Sequence, residues 1–252
     1  MIDTIVPNWI GAPANIGAFT SLRAGGVSLA PYDDGCSGQN GFNLAAHVGD
    51  IPEHVAQSRA LLRSLLPAEP AWLTQVHGTN VVDASGVKNV PEADASLTTQ
   101  SGVVCAILTA DCLPVLFCDT AGSVVAAAHA GWRGLAGGIL EQTVQQMRTA
   151  GAGDILAWLG PAIGPLQFEV GEDVLNAFIA RLERNRSAFQ PIAGQAGKYL
   201  ADIYQLARQA LSGAGVERIS GGGLCTVSDA SRFYSYRRDQ VTGRMASLIW
   251  LK

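Results

Sequence analysis

Three short segments place reactive side chains where apolar chain breaks off. Thr74-Gln75-Val76-His77-Gly78 ends an apolar stretch in an imidazole. Thr109-Ala110-Asp111-Cys112-Leu113-Pro114 sets an acid and a thiol inside the apolar run 103–118. Ala128-His129-Ala130-Gly131-Trp132-Arg133-Gly134 leaves an apolar strand with a second imidazole. Polar groups in buried chain cost stability unless they are paired or ligated, so each interruption marks a candidate site. Two imidazoles and one thiolate, with a fourth position open, are the ligand set of a catalytic zinc that activates water. His77, Cys112 and His129 supply that set. Their separations of 35 and 17 residues form no local metal motif, so the fold has to bring them together. Two other readings stay open. Cys112 and His129 also suit a nucleophile and its base, as in cysteine hydrolases, which stoichiometric metal would argue against. Alternatively, the histidines are satisfied core side chains and the thiol is a small buried hydrophobe.

Asp111 adjoins one of these residues. It can orient a ligand, act as general acid or base, or cap a turn. Gly131, Arg133 and Gly134 stand at a predicted helix start, where backbone N–H groups and a guanidinium favour an anion. The alternative is a tight turn that needs glycine, with Arg133 solvated. Arg23 flanks a glycine-rich stretch, and Arg59 lies mid-helix, where most arginines face solvent. Phe233-Tyr234-Ser235-Tyr236-Arg237-Arg238-Asp239 could stack a flat base, grip an anion, or form a salt-bridge corner at Asp239. Cys105, Cys118 and Cys225 read as core, and Cys36 as an exposed loop thiol. His47 and His54 read as structural or surface residues, with His47 close to Asn43.

The elements that must position these groups follow from periodicity. Asp50-Ile51-Pro52-Glu53 has the form of a capping box opening a helix to about residue 66, where Pro67 ends it. Apolar spacing predicts a helix over 135–150 and others around 174–182 and 200–213. Strands are expected at 72–76, 103–108, 113–117, 124–128, 155–159 and 246–251, with a hairpin turn at Asp119-Thr120-Ala121-Gly122. Runs such as Val-Val-Cys-Ala-Ile-Leu are apolar on both faces, as in central strands covered on both sides. The expected class is α/β: one layered domain, with a mixed sheet covered by helices. Residues 24–41, rich in glycine, read as a long surface loop.

Composition narrows the function. The 252 residues carry 17 Lys and Arg against 21 Asp and Glu, a net charge of −4. Nucleic acid and anionic membranes need clustered positive charge, so neither is the expected partner. Asp111 and Pro114 break the longest apolar stretch, which is therefore no membrane span. The first residues show neither a basic region nor a continuous apolar one, so no signal peptide is read. With five cysteines, an odd number, free thiols in a reducing cytoplasm are expected.

Together with Gly160-Pro161-Ala162-Ile163-Gly164 and Thr242-Gly243-Arg244, these motifs resemble, in order, those of the laccase-domain or YfiH-type family. That group is also described as polyphenol oxidase-like or as purine nucleoside phosphorylases. The resemblance runs from about Arg23 to the C-terminus. It implies a single domain over 1–252 with a cysteine-hydrolase-like architecture. It implies one metal ion, usually zinc, on His77, Cys112 and His129, with copper as the alternative. It implies phosphorolysis of adenosine, inosine and S-methyl-5′-thioadenosine, and adenosine deamination. Other members are described as peptidoglycan editing factors acting on a mis-charged muramyl precursor, or as copper laccases. Asn43 and Arg59 map to positions near the substrate, with Asn43 orienting sugar or base and Arg59 or Arg133 holding phosphate. Residues 33–41 look like an insertion bordering the pocket. A multicopper oxidase needs several coppers held mainly by histidine, and four histidines, two of them outside the motifs, cannot build that set.

Overall fold

Alternate residues of a strand point to opposite faces, and here the strands Val104–Thr109, Leu113–Asp119, Val125–Ala130 and Ile155–Leu159 are buried on both faces. The computed structural model describes residues 2–35 and 40–252. In chain order its strands are β1 (Thr4–Ile5), β2 (Ile16–Ser21), β3 (Ala24–Ser28), β4 (Pro70–Ala71), β5 (Val81–Asp83), β6 (Ala95–Thr98), β7 (Val104–Thr109), β8 (Leu113–Asp119), β9 (Val125–Ala130), β10 (Ile155–Leu159), β11 (Glu169–Gly171), β12 (Phe189–Pro191), β13 (Lys198–Ala201), β14 (Arg218–Gly221) and β15 (Met245–Leu251). The α-helices are α1 (Pro52–Arg63), α2 (Trp132–Gly137), α3 (Ile139–Thr149), α4 (Glu172–Ile179), α5 (Ile203–Gly213) and α6 (Tyr236–Asp239).

The strands form two large mixed sheets and a small ribbon. One sheet runs β1-β2-β15-β7-β4, the other β14-β10-β8-β9-β6-β5, and β11-β13-β12 stand apart. Cys105 and Ile107 of β7 and Ile249 and Leu251 of β15 meet Leu116, Cys118, Val125, Ala127, Leu156 and Trp158 of the second sheet. On the far face of β7 and β15, Val104, Ala106 and Leu248 pack on Leu62 of α1 and on Phe42 and Leu44. On the far face of the second sheet, Val115 and Phe117 pack on Leu140 and Val144 of α3 and on Leu206 and Leu211 of α5. The order of layers is helix, sheet, sheet, helix. The α/β class stands, and the expected mixed sheet is two stacked sheets. Periodicity shows that a strand is covered on both faces but not whether a helix or a second sheet covers it.

Strands 155–159 and 246–251 lie where expected, and Asp119 to Gly122 joins β8 to β9 as a hairpin, the N–H of Gly122 donating to Asp119 O at 3.1 Å. Other boundaries move for local reasons. The helix expected over 135–150 breaks at Gly138, whose φ of 102° ends α2 before α3 begins. Asp50 is not the cap of α1. Its carboxylate is drawn to the side-chain amide of Asn43 at 2.9 Å, Ile51 takes the N-cap position without a side-chain bond, and Pro52 follows. The strand expected at 72–76 does not form: regular pairing stops at β4, just before it, and Thr74 makes only an isolated bridge to Glu92. Beyond β4 the Gln75 side chain occupies the ladder position, accepting from Leu108 N and donating to Leu108 O, both at 2.8 Å. Leu200 belongs to β13 rather than to the helix, and residues 24–28 of the glycine-rich stretch are a strand. Cys225 is half-buried in a turn, accepting from Gly164 N and Ser228 Oγ at 3.3 Å, not packed in the core. Cys36, and 36–39 of the apparent insertion, lie outside the described residues.

Candidate metal and substrate site

Three chain reversals at one end of the stacked sheets carry the site. His77 follows the irregular segment after β4, Cys112 immediately precedes β8, and His129 sits near the end of β9. Their ligand atoms all lie within 4.8 Å of one another, and this is the one such three-residue group among the described residues. Cys112 Sγ is 3.7 Å from His77 Nε2, and the two imidazole rings meet edge to face at 4.8 Å. A tetrahedral zinc with Zn–N near 2.0–2.1 Å and Zn–S near 2.3 Å sets nitrogen and sulfur roughly 3.6 Å apart. The donors fit one ion, and their softness suits zinc or copper.

Backbone conformation aims these side chains. His77 and Asp111 both have positive φ, 61° and 89°, a region costly for non-glycine residues unless their surroundings hold them there. Asp94, fully buried, holds the first. Its carboxylate accepts from the backbone N–H groups of Val76, His77 and Gly78 at 3.2, 2.9 and 2.6 Å. The same carboxylate meets His129 Nδ1 at 2.8 Å, which leaves Nε2 of that ring for a ligand. Thus one acid orients both imidazoles. Gly131 leaves room for them: a Cβ there would sit 2.6 Å from His77 Cδ2 and 3.1 Å from Cys112 Sγ. At Gly134 a Cβ would meet Gly78 O at 2.9 Å.

Electrostatics follow from this packing. Burial pushes the Cys112 thiol up, but the charge of His129 and hydrogen bonds from both imidazoles outweigh it and bring the pKa down to about 6. Burial pushes His129 down, and the Cys112 thiolate and Asp94 together raise it to about 9. Burial also opposes the Asp94 charge, yet His129 and the N–H groups of Gly78 and Val76 hold it below its ordinary value. Each group thus favours the charged form of the other, thiolate beside imidazolium.

The remaining expected residues separate. Asp111 points its carboxylate away from the three ligands, accepting from Thr226 Oγ1 and Arg237 N, both at 2.6 Å. It anchors the reversal that presents Cys112 and ties it to α6. Asn43 is fully buried, bonding Ala45, Asp50 and the backbone N–H of Arg244. It shapes the Arg244 turn from inside the protein. Arg59 donates from Nε to Leu44 O at 2.9 Å and stacks on Trp72 at 4.3 Å. Arg133 is exposed and stacks on Trp132 at 4.3 Å. The helix it opens, α2, has six residues. Arg238 pairs with Asp239 at 2.7 Å, the salt-bridge corner expected there. Arg23 is buried in backbone contacts and takes no part in the site.

Two cavities share the wall formed by His77, Ala110, Cys112 and Tyr236. The first, about 380 Å³, is also lined by His47, Gln75, Thr109, His129 and Arg244. The second, about 260 Å³, adds Trp132, Phe168, Ile163, Ile203, Arg133 and Arg237. Among the described residues the Arg244 guanidinium donates to the carbonyls of Thr242 and Gly243 alone. Among the described residues neither Arg244, Arg59 nor Arg133 has a carboxylate within ion-pair distance. His47 is lowered by partial burial and then by the charges of Arg244 and Arg59. Thr109 Oγ1 is buried without a hydrogen-bond partner among the described residues. Asp94, His47 and Thr109 were not singled out as site residues from sequence, and Arg244 appeared only inside a motif. Asp94 and His47 lie 17 or more positions from any of the three and carry no local signal of what they face, and Thr109, three before Cys112, stood only inside its motif.

Fold and centre together define a four-layered α/β protein whose stacked sheets end in a His-Cys-His group with the donor set for one metal ion. The sequence profile of the family described as multi-copper polyphenol oxidoreductase laccase matches residues 17–252. The chain is 52% identical over 248 residues to a purine nucleoside phosphorylase of Pseudomonas aeruginosa, covering 98% of each. It is 52% identical over 254 residues to the purine nucleoside phosphorylase YfiH of Escherichia coli, covering all of both. The crystal structure of a Neisseria meningitidis protein of the DUF152 family superposes with a TM-score of 0.90 at 47% identity, covering 100% of this chain and 99% of that one. The chain belongs to this laccase-like YfiH/DUF152 family.

Proposed function

We propose that the chain is a metal-dependent purine nucleoside phosphorylase acting on adenosine, inosine and S-methyl-5′-thioadenosine. It also deaminates adenosine, taking up water and releasing ammonia. One observation carries the reading: a ligand set for one ion adjoins a cavity whose Arg244 guanidinium has no carboxylate partner. Relatives that are named purine nucleoside phosphorylases at 52% identity support it.

Phosphorolysis exchanges one bond for another. A phosphate oxygen bonds to C1′ of the sugar, the C1′–N9 bond breaks, and the purine leaves with the electron pair and gains a proton. The protein has to hold a dianion beside C1′, and Arg244 and His47 line a chamber suited to it. His77, Cys112 and His129 would hold the ion, which as zinc supplies Lewis acidity that polarises substrate or water. Asp94 fixes the orientation of both imidazoles, and Asp111 fixes that of Cys112. The working context is the cytoplasm, with small-molecule nucleoside and phosphate as partners.

The test is chromatography of products from adenosine, inosine and methylthioadenosine, with and without phosphate, beside a serine-containing muramyl precursor. Free base and sugar 1-phosphate that appear only with phosphate support the reading. Turnover of the muramyl precursor alone would overturn it in favour of peptidoglycan editing.

A further inference from the structure

The second cavity has a different chemistry from the first, although they share the Cys112 wall. Its apolar sides are Trp132, Phe168, Ile163 and Ile203, and Asp111, which also lines it, has its carboxylate engaged by Thr226 Oγ1 and Arg237 N. Two arginines lie over its aromatic rings, Arg133 at 4.3 Å from the centre of Trp132 and Arg237 at 5.8 Å from that of Phe168. The Arg237 guanidinium is occupied with the carbonyls of Glu169 and Gln167. Such a chamber suits a flat, weakly polar ring system, which stacks on aromatic faces and tolerates a cation near its edge. A dianion gains more in the first chamber, where Arg244 and His47 converge.

We propose that the Trp132–Phe168 chamber is the nucleobase subsite, so that base and phosphate occupy separate chambers meeting at the ion's ligands. The inference rests on the phosphorolysis reading. Displacement at C1′ brings the phosphate oxygen to the face of the sugar turned away from N9, so base and phosphate lie on opposite sides of the sugar. Two cavities joined at a common wall, with Tyr236 lining both, meet that demand. Arg133, noted from sequence as a candidate phosphate ligand, then stands at the base end and Arg244 at the phosphate end.

The experiment compares Phe168→Leu, Trp132→Leu and His47→Gln with the wild-type holoenzyme, measuring KM separately for inosine and inorganic phosphate. Phe168 is largely buried, so thermal melting checks that variant's fold, and half-buried Trp132 provides a second probe. The expected result is a KM for inosine raised about tenfold in both aromatic variants, with the phosphate KM within twofold of wild type. His47→Gln shows the reverse. An inosine KM unchanged in folded Phe168→Leu and Trp132→Leu, or a phosphate KM raised as much as that for inosine, overturns the subsite and leaves the phosphorolysis reading standing. Wild-type protein that turns over no nucleoside overturns both.

Discussion

Cys112 and Cys118 lie six residues apart on one segment, and their thiols have opposite chemistry. Cys118, like Cys105 on β7, packs between the two sheets. Burial there pushes both thiols up to about 12. Cys112 stands where the sheets end, faces two imidazoles, and comes down to about 6. Burial alone makes a cysteine inert. A nearby positive charge reverses the sign, because its attraction for the thiolate exceeds the desolvation penalty. The sheet stack supplies rigidity, and its end supplies chemistry.

The largest expected effect comes from Cys112→Ala, which removes the ligand and leaves both sheets intact. Bound metal and nucleoside turnover fall to background, while circular dichroism and melting temperature stay near wild type. Asp94→Asn cuts less deeply. It weakens the acceptor shared by the His129 ring and the His77 backbone N–H, so metal affinity measured by chelator competition falls about 10–100-fold. Gly131→Ala keeps an allowed backbone, φ −62° and ψ 156°, but its new methyl group crowds His77. Metal affinity drops about tenfold, in keeping with disturbed ligand geometry, without loss of fold.

Alkylation sharpens the contrast between thiols. In metal-free protein at pH 7, iodoacetamide modifies Cys112 well before Cys105 or Cys118, as peptide mass spectrometry will read. A lowered thiol pKa means that the thiolate persists above about 6, so the rate falls as pH drops through that value. Equal labelling of all three would break the comparison. The smallest effect belongs to Cys118→Ala, a buried truncation that costs about 1 kcal/mol in denaturant unfolding and leaves metal content unchanged.

Much of the centre was legible because its residues interrupt apolar strands. Asp111-Cys112 inside the run 103–118 and His129 at the end of another are visible as breaks in a pattern. Long-range partnership is invisible in such patterns. Asp94 reaches His129 across 35 positions, and only the pairing of β6 with β9 brings them together. The same limit applies to Asn43, which resemblance placed near substrate and whose amide is consumed by Ala45, Asp50 and Arg244. Helix periodicity gave the apolar face of α3 but not the break at Gly138, since that face continues into α2 through Leu135. A strand at 72–76 does not form, because apolar composition does not reveal that a Gln75 amide takes a backbone partner's place.

Elemental analysis of the purified chain, run alongside its phosphorolysis rate before and after chelation, tests the central claim most directly. One ion per chain, lost together with activity on chelation and restored together by zinc, is the predicted result. Full activity in chelated, metal-free protein that alkylation of Cys112 then abolishes would contradict it and assign Cys112 and His129 to a covalent thiol mechanism.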